Sequence, residues 1–194
     1  MDQLSFFSAE ARQPAIGDLA GVLCGPGQAV AFGRGTAARL SVVLDAEWRA
    51  RSLAGACAER GVQAQVGRSD EGWPLVRTAF RADLTGLAGA WLRGAIKSVP
   101  RGFTPDGAAL RIWVLAAGRP EPGGYRLELD PHAPGTHGEL AGALARCGLA
   151  AKPVGARSGQ PALRLTGKRR LARLAELVGP VPDGAIERTW PLAC

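Results

Sequence analysis

The chain has 194 residues, of which 46% are hydrophobic and 21% are charged, so it can bury a core and is not a disordered protein. Its formal net charge is +7, from 24 basic and 17 acidic residues, and the second half carries most of the excess. A basic half of this kind indicates a polyanionic partner.

No segment has the length and apolarity of a membrane span, and the first ten residues lack the cationic start of a signal peptide. We therefore expect a cytoplasmic protein. Its four cysteines have no CxxC spacing, which is typical of small buried side chains rather than a disulfide framework or zinc site. They are Cys24, Cys57, Cys147 and Cys194.

Hydrophobic periodicity predicts helices near residues 14–25, 47–60, 105–117, 137–147 and 168–178. Strand-like runs lie between them in ARLSVVLD, VQAQVG, PLVRTAF, YRLELD and ALRLTG. The order repeats, which predicts two similar α/β halves over 14–97 and 98–182, flanked by residues 1–13 and a tail over 183–194. We expect the first helix to begin at Pro14 and the third to have Thr104 as N-cap, with Pro105 in its first turn.

The first helix of each half is rich in small residues, in LAGVLCGPG at residues 19–27 and LRIWVLAAG at residues 110–118. Small side chains allow two helix backbones to approach closely, so we expect a direct contact between the halves. The alternative is that each helix packs only on its own sheet.

LAGVLCGPG resembles the LAGLIDADG motif of homing endonucleases, and LRIWVLAAG holds the corresponding place in the second half. The second half is more similar to the amino-terminal domain of WhiA, a family of bacterial sporulation regulators. The stretches that carry this resemblance are VLAAGRPEPGGYRLEL, ELAGALARCGLAAKP, RLARLAELVGP and TGLAGAWLRGAIKSVP. The resemblance implies an α/β (α+β) pseudo-dimer of two αββαββα-type halves, whose curved sheets form a saddle for DNA.

LAGLIDADG nucleases cut DNA with acidic residues at the sixth and eighth letters of the motif, because divalent metals need carboxylate oxygens. This chain has Cys24, Pro26, Leu115 and Ala117 at those places. The resemblance therefore implies a protein without nuclease activity, and we expect neither a metal nor a cofactor.

A second candidate metal site lies in DPHAPGTHGEL, where Asp130, His132 and His137 stand close together in the sequence. Thr136 and Glu139 in the same stretch have the spacing of a capping box. We therefore favour a structural interpretation, in which this is a loop that enters a helix.

Two sets of basic residues are candidates for binding DNA. Arginines alternate with apolar residues on four strands, which predicts a phosphate-facing sheet surface; they are Arg39, Arg77, Arg126 and Arg164. Cations also crowd the first turns of the last helix, where the helix dipole is positive; they are Lys168, Arg169, Arg170 and Arg173. The alternative for both sets is a solvated surface. For the strand arginines, Glu128 and Asp130 on the same side as Arg126 favour this alternative.

The sequence QLSFF near the amino terminus resembles the bacterial sliding-clamp-binding motif, in which Gln, Leu and an aromatic residue occupy a cleft on the clamp. Its residues are Gln3, Leu4, Ser5, Phe6 and Phe7. Residues 8–13 are expected to be a polar spacer. The alternatives are a strand that docks on the protein's own sheet and an apolar anchor under the first helix.

Together these features predict a monomeric, nucleoid-associated, non-enzymatic factor of DNA replication or repair that binds DNA and the sliding clamp. The alternative is a WhiA-like transcriptional regulator without a helix-turn-helix domain, since no such pattern follows residue 182. An active nuclease is a third, less favoured hypothesis. Trp190 in the tail either folds back on the body or contacts a partner.

Overall fold

The structure is a computed structural model that describes residues 8–10, 12–155 and 159–191. The first half begins with a 3-10 helix, Ile16–Leu19, and has seven α-helices and strands. They are α1 (Ala20–Cys24), β1 (Gln28–Phe32), β2 (Ala37–Val43), α2 (Glu47–Glu59), β3 (Ala64–Arg68), β4 (Pro74–Thr78) and α3 (Thr85–Trp91).

A short hairpin of β5 (Leu92–Arg93) and β6 (Ile96–Lys97) connects the halves. The second half then repeats the order of the first. It consists of α4 (Gly107–Ala117), β7 (Gly118–Glu121), β8 (Gly124–Glu128), α5 (His137–Arg146), β9 (Lys152–Val154), β10 (Ala162–Thr166) and α6 (Lys168–Val178). Each half is thus αββαββα, and the predicted pseudo-dimer is confirmed.

The two four-stranded sheets are antiparallel and have the same topology, with strand orders β1-β2-β4-β3 and β7-β8-β10-β9. Alternation decides which face each side chain takes. On β2, for example, Ala38, Leu40 and Val42 are buried, whereas Arg39 and Ser41 point to the opposite face. One face of each sheet packs on the helices, and we call the opposite face its outer face.

The halves meet where α1 crosses α4, as the small residues predict. Gly21 is the closest point of this crossing: a Cβ atom there would collide with the carbonyl oxygen of Ala109 and lie 2.7 Å from the backbone nitrogen of Trp113. Ile112 of α4 fills the space beside it. The two helices therefore form the interface between the halves rather than packing only on their own sheets.

Helix α4 lies at the centre of the molecule, with every residue buried except Arg111. It contacts α1, α2 and α6, which surround it. Arg111 donates hydrogen bonds to the carbonyl oxygens of Val178 and Pro180, and its guanidinium lies 5.0 Å from the ring centre of Trp190. Trp190 is buried and donates from Nε1 to the oxygen of Gly179, so the tail folds back on the body.

Two predicted helix starts and one predicted capping box differ from the structure. Pro14 precedes the 3-10 helix, and α1 itself has only five residues. The N-cap of α4 is Asp106 rather than Thr104, because the Asp106 carboxylate accepts a hydrogen bond from the Ala109 nitrogen. Thr136 forms no capping box: its hydroxyl donates to the carbonyl oxygen of Ala133.

Residues of the expected spacer contact the folded body. Ser8 is buried, and the Ala9 nitrogen donates to the carbonyl oxygen of Leu177 at the end of α6. Arg12 pairs with Asp106 at 2.6 Å. Within the described part of the chain, no helix is long and apolar enough to cross a membrane.

Candidate nucleic-acid interface

A buried ammonium group occupies the carboxyl end of α1. Lys97 Nζ donates to the carbonyl oxygen of Gly25 at 2.9 Å and pairs with Asp130 Oδ2 at 2.7 Å. Burial lowers the pKa of Lys97, although Asp130 partly offsets this. Burial opposes ionisation of Asp130, but hydrogen bonds from Lys97 and Gln28 leave its pKa below the ordinary value.

A buried guanidinium occupies the carboxyl end of α4 in the same way. Arg49 of α2 donates to the carbonyl oxygens of Val114, Leu115 and Gly118. Its Nε pairs with Asp45 at 3.2 Å, and Asp45 also pairs with Arg119 at 2.8 Å. Burial lowers the pKa of Arg49.

The two clusters occupy equivalent places in the two halves. Gln28 and Arg119 directly follow the last glycine of each motif, and each reaches a carboxylate of the other half. Those carboxylates, Asp130 and Asp45, both lie two residues beyond the second strand of their sheet. The halves are therefore linked twice by related polar contacts.

The four motif positions that would carry acids in a nuclease lie at these same helix ends. Cys24, Leu115 and Ala117 are buried among apolar side chains, and Pro26 is half-buried. Burial raises the pKa of the Cys24 thiol. Among the residues that the structure describes, no three His, Cys, Asp or Glu side chains are grouped so that they could hold a metal ion.

The candidate histidine site has a structural arrangement instead. A ring nitrogen of His137 lies 2.7 Å from the carbonyl oxygen of Asp130, and the backbone nitrogen of His132 donates to Asp130 Oδ1. The carboxylate of Asp130 already binds Lys97 and Gln28. The loop is therefore built around Asp130, in agreement with the structural interpretation.

Two of the predicted DNA-binding arginines, Arg39 and Arg77, lie on the outer face of the first sheet. Across the strands Arg39 pairs with Val30, and Arg77 lies between Ser41 and Gln65. Among the described residues neither arginine has an ion-pair partner, and the strands contribute no carboxylate to this face. The described strand residues that face outward are Gln28, Val30, Phe32, Ala37, Arg39, Ser41, Val43, Gln65, Gly67, Leu75 and Arg77.

The other two, Arg126 and Arg164, are direct cross-strand partners on the outer face of the second sheet. Arg119 pairs with Arg126 on one side, and Lys152 pairs with Arg164 on the other. Four cations thus form one row across all four strands, which we call the cation row. Three acids partly neutralise it: Glu121 pairs with Arg164, Glu128 with Arg119 and Arg126, and Asp45 with Arg119.

The outer faces of the two sheets adjoin a common cleft. Val43 and Trp73 line it from the first half, and Glu128 and Gln160 line it from the second, with Asp45 between them. The two faces therefore form one continuous surface across the interface between the halves.

The predicted cations of α6 line an open groove at the start of that helix, directly after β10. Lys168, Arg169 and Arg170 are exposed, and Arg173 is half-buried. Arg173 pairs with Glu176 at 3.2 Å, and Arg170 donates to the carbonyl oxygen of Thr166. The cluster thus adds a second positive surface after the strand that carries Arg164.

Four basic residues of the cation row and of the two buried clusters were not predicted from the sequence. Arg119 and Lys152 belong to β7 and β9, which were not predicted as strands. Their positions in the cation row follow from the pairing of β7 with β8 and of β9 with β10. Arg49 and Lys97 bind partners far away in the sequence, which local patterns do not show. The clamp-motif residues 3–7 lie outside the described residues.

No protein-family model matches the chain, and no curated protein matches it in sequence. Solved structures do resemble it. The homing endonuclease I-WcaI bound to its DNA recognition sequence has a TM-score of 0.58 at 13% identity, over 92% of this chain and 83% of that one.

Two WhiA structures are similar to the same extent. The amino-terminal LAGLIDADG domain of DUF199/WhiA has a TM-score of 0.57 at 13% identity, over 92% of this chain and 88% of that one. Full-length DUF199/WhiA from Thermatoga maritima has a TM-score of 0.60 at 13% identity, over 88% of this chain but 56% of that one. With its two αββαββα halves and crossed motif helices, the chain has the LAGLIDADG fold.

Proposed function

We propose that the protein binds DNA on the outer faces of its two sheets without cleaving it. The observation that carries this proposal is the cation row on the second sheet. Like charges directly opposite each other destabilise a sheet, and the row holds two such pairs of arginines, Arg119 with Arg126 and Arg126 with Arg164. Bound phosphates would relieve this repulsion and release counterions from the DNA.

The test of DNA binding is fluorescence anisotropy with a labelled duplex at several salt concentrations. Replacing Arg126 and Arg164 together with serine should weaken binding at every sequence tested and reduce the salt slope by about two, roughly one per lost phosphate contact. The matched control replaces Arg93 and Arg101, which are exposed and outside both four-stranded sheets. Equal losses in both double variants would contradict a role for the cation row.

The absence of cleavage is supported by the cations at the ends of the motif helices. A divalent metal needs several oxygen ligands, but the Gly25 carbonyl already binds Lys97 and the Gly118 carbonyl binds Arg49. Both cations would also repel a metal ion. A plasmid-nicking assay with Mg²⁺ and with Mn²⁺ should show no product, and metal-dependent nicking by the pure protein would overturn this part of the proposal.

We further propose that QLSFF tethers the protein to the DNA polymerase sliding clamp, which places it in DNA replication or repair at the nucleoid. The support is the match of the motif at Gln3, Leu4, Ser5 and Phe7. A short motif of this kind binds with a Kd of about 1 µM, and simultaneous contact with the same DNA adds avidity. Calorimetry with the clamp should show binding that disappears when Gln3, Leu4, Phe6 and Phe7 are changed to alanine.

Transcriptional regulation is the second candidate function. It is favoured by the match of 88% of this chain to full-length WhiA. This alternative expects the protein at promoters and expects no effect of changes at residues 3–7. Chromatin immunoprecipitation in replicating cells separates the two, because a clamp-bound protein would follow the replication forks.

A further inference from the structure

The outer face of the first sheet carries exposed aromatic side chains, unlike that of the second. Phe32 is 64% exposed and Phe80 is 40% exposed, and their ring centres lie 5.2 Å apart. Phe80 follows β4 and lies against Arg39, whose guanidinium is 4.7 Å from the ring centre. At the other end of the face, Trp73 is 50% exposed beside the common cleft.

Aliphatic side chains extend this surface between the aromatic ends. Val30 and Val43 are both more than 40% exposed on the outward side of β1 and β2. Phe32 pairs with Ala37 at one end of β2, and Val43 lies six residue steps further along the strand, which corresponds to about 20 Å. A soluble protein rarely leaves so many large apolar side chains together on one sheet face unless something binds there.

The charges on this face identify the chemistry of the partner. Arg39 and Arg77 lie among the apolar side chains with no ion-pair partner in the described chain, and Arg39 Nε is buried without a hydrogen-bond acceptor there. The described strands contribute no acid to the face. Flat aromatic surfaces beside uncompensated cations match a single-stranded nucleic acid, which offers bases for stacking and phosphates for pairing.

We propose that the outer face of the first sheet binds single-stranded DNA. Bases stack on Phe32 and on Trp73, and phosphates pair with Arg39 and Arg77. This inference rests on the proposed DNA-binding function and makes it more specific. Since the common cleft joins the face to the cation row, the preferred ligand is a duplex that continues into a single strand, with the duplex on the second sheet.

The experiment compares three labelled DNAs by fluorescence anisotropy: an oligo-dT single strand, a duplex, and the same duplex with an oligo-dT tail. The wild type should bind the tailed duplex more tightly than either of the others. Replacing Phe32 and Phe80 with alanine should weaken oligo-dT binding about tenfold or more and change duplex binding less than twofold. Ile96→Ala is the control, because Ile96 is 72% exposed on β6, outside both four-stranded sheets.

The failures of the two proposals are distinguishable. Binding of the duplex without binding of oligo-dT would overturn the single-strand inference and leave DNA binding standing, whereas binding of none of the three would overturn both. Tighter binding of an oligo-rU strand than of oligo-dT would overturn the assignment to DNA. A wild-type dimer that the double variant converts to a monomer would show that a second copy covers this face.

A second readout does not depend on the variants. Oligo-dT with one 5-iododeoxyuridine, crosslinked by ultraviolet light and mapped by mass spectrometry, should label Phe32, Phe80 or Trp73. Crosslinks confined to the second sheet or to α6 would contradict the inference.

Discussion

The two sheets have the same strand order, yet their outer faces are chemically different. The second sheet carries four cations in register with acids that partly neutralise them. The first carries two arginines that have no ion-pair partner among the described residues, and exposed aromatic and aliphatic side chains surround them. The two halves therefore share a backbone topology, whereas the charge and the apolarity of their outer faces differ.

The buried contacts between the halves differ in a similar way. At the crossing, α1 contributes Gly21, whereas α4 has Ile112 at the equivalent motif letter. Of the two equivalent carboxylates, Asp130 is buried and Asp45 is 44% exposed. Equivalent positions thus make unequal contacts, and substitutions at matched sites can measure what each contributes to stability.

The largest effect is expected at Gly21. The methyl group of Gly21→Ala would collide with the α4 backbone, so the halves must separate, at a cost of more than about 3 kcal/mol. Gly55→Ala in α2 is the matched control: a Cβ there meets nothing, and it should stabilise the protein by up to about 1 kcal/mol. Urea unfolding measures both changes, and a loss below 1 kcal/mol at Gly21 would contradict the close crossing.

A smaller loss is expected at the carboxylates. Asp130→Asn leaves the buried ammonium of Lys97 without a counter-charge and should cost about 3 kcal/mol. Asp45→Asn should cost less than about 1 kcal/mol, because its carboxylate is exposed to water and already screened. Thermal unfolding of both variants at neutral pH checks this order, and equal losses would show that the two clusters are energetically equivalent.

Acid should remove the contribution of Asp130. Because its pKa is lowered in the folded protein, only the unfolded chain takes up a proton as the pH falls below about 4. The stability that ionised Asp130 provides is fully present above that range and is lost as the pH falls through its folded pKa. The difference between the wild type and Asp130→Asn should therefore shrink in acid, as urea unfolding over a pH series would show.

The smallest effect on stability is expected from a substitution in the cation row, measured in the absence of DNA. Arg126 has an arginine on each side, so Arg126→Gln should raise stability by a few tenths of a kcal/mol at low salt and by nothing at high salt. Arg77 lies between uncharged neighbours, and Arg77→Gln should change little. Calorimetric melting at two salt concentrations separates them, and destabilisation by Arg126→Gln at low salt would show that its acid partners outweigh the repulsion.

Part of this architecture is readable from the sequence. The helices α2, α5 and α6 lie within about two residues of their predicted bounds, because each has one apolar face. Alternation placed Arg39, Arg77, Arg126 and Arg164 on strands. Strand β1 was missed because QAVAF lies between glycines, and β7 because Gly118 and Pro120 are weak strand formers.

Local sequence patterns could not predict the buried polar clusters. Lys97 meets Asp130, and Arg49 meets the end of α4, only after the halves have packed together. The exposed aromatic face was also missed, because Phe32 lies on β1, which was not predicted as a strand.

The burial of α4 has a consequence for how the molecule comes apart. Ten of the eleven residues of this helix are buried, and elements from both halves cover them. If either half unfolded, apolar side chains of α4 would become exposed to water. The two copies therefore form one cooperative folding unit, and heating should melt them in a single transition.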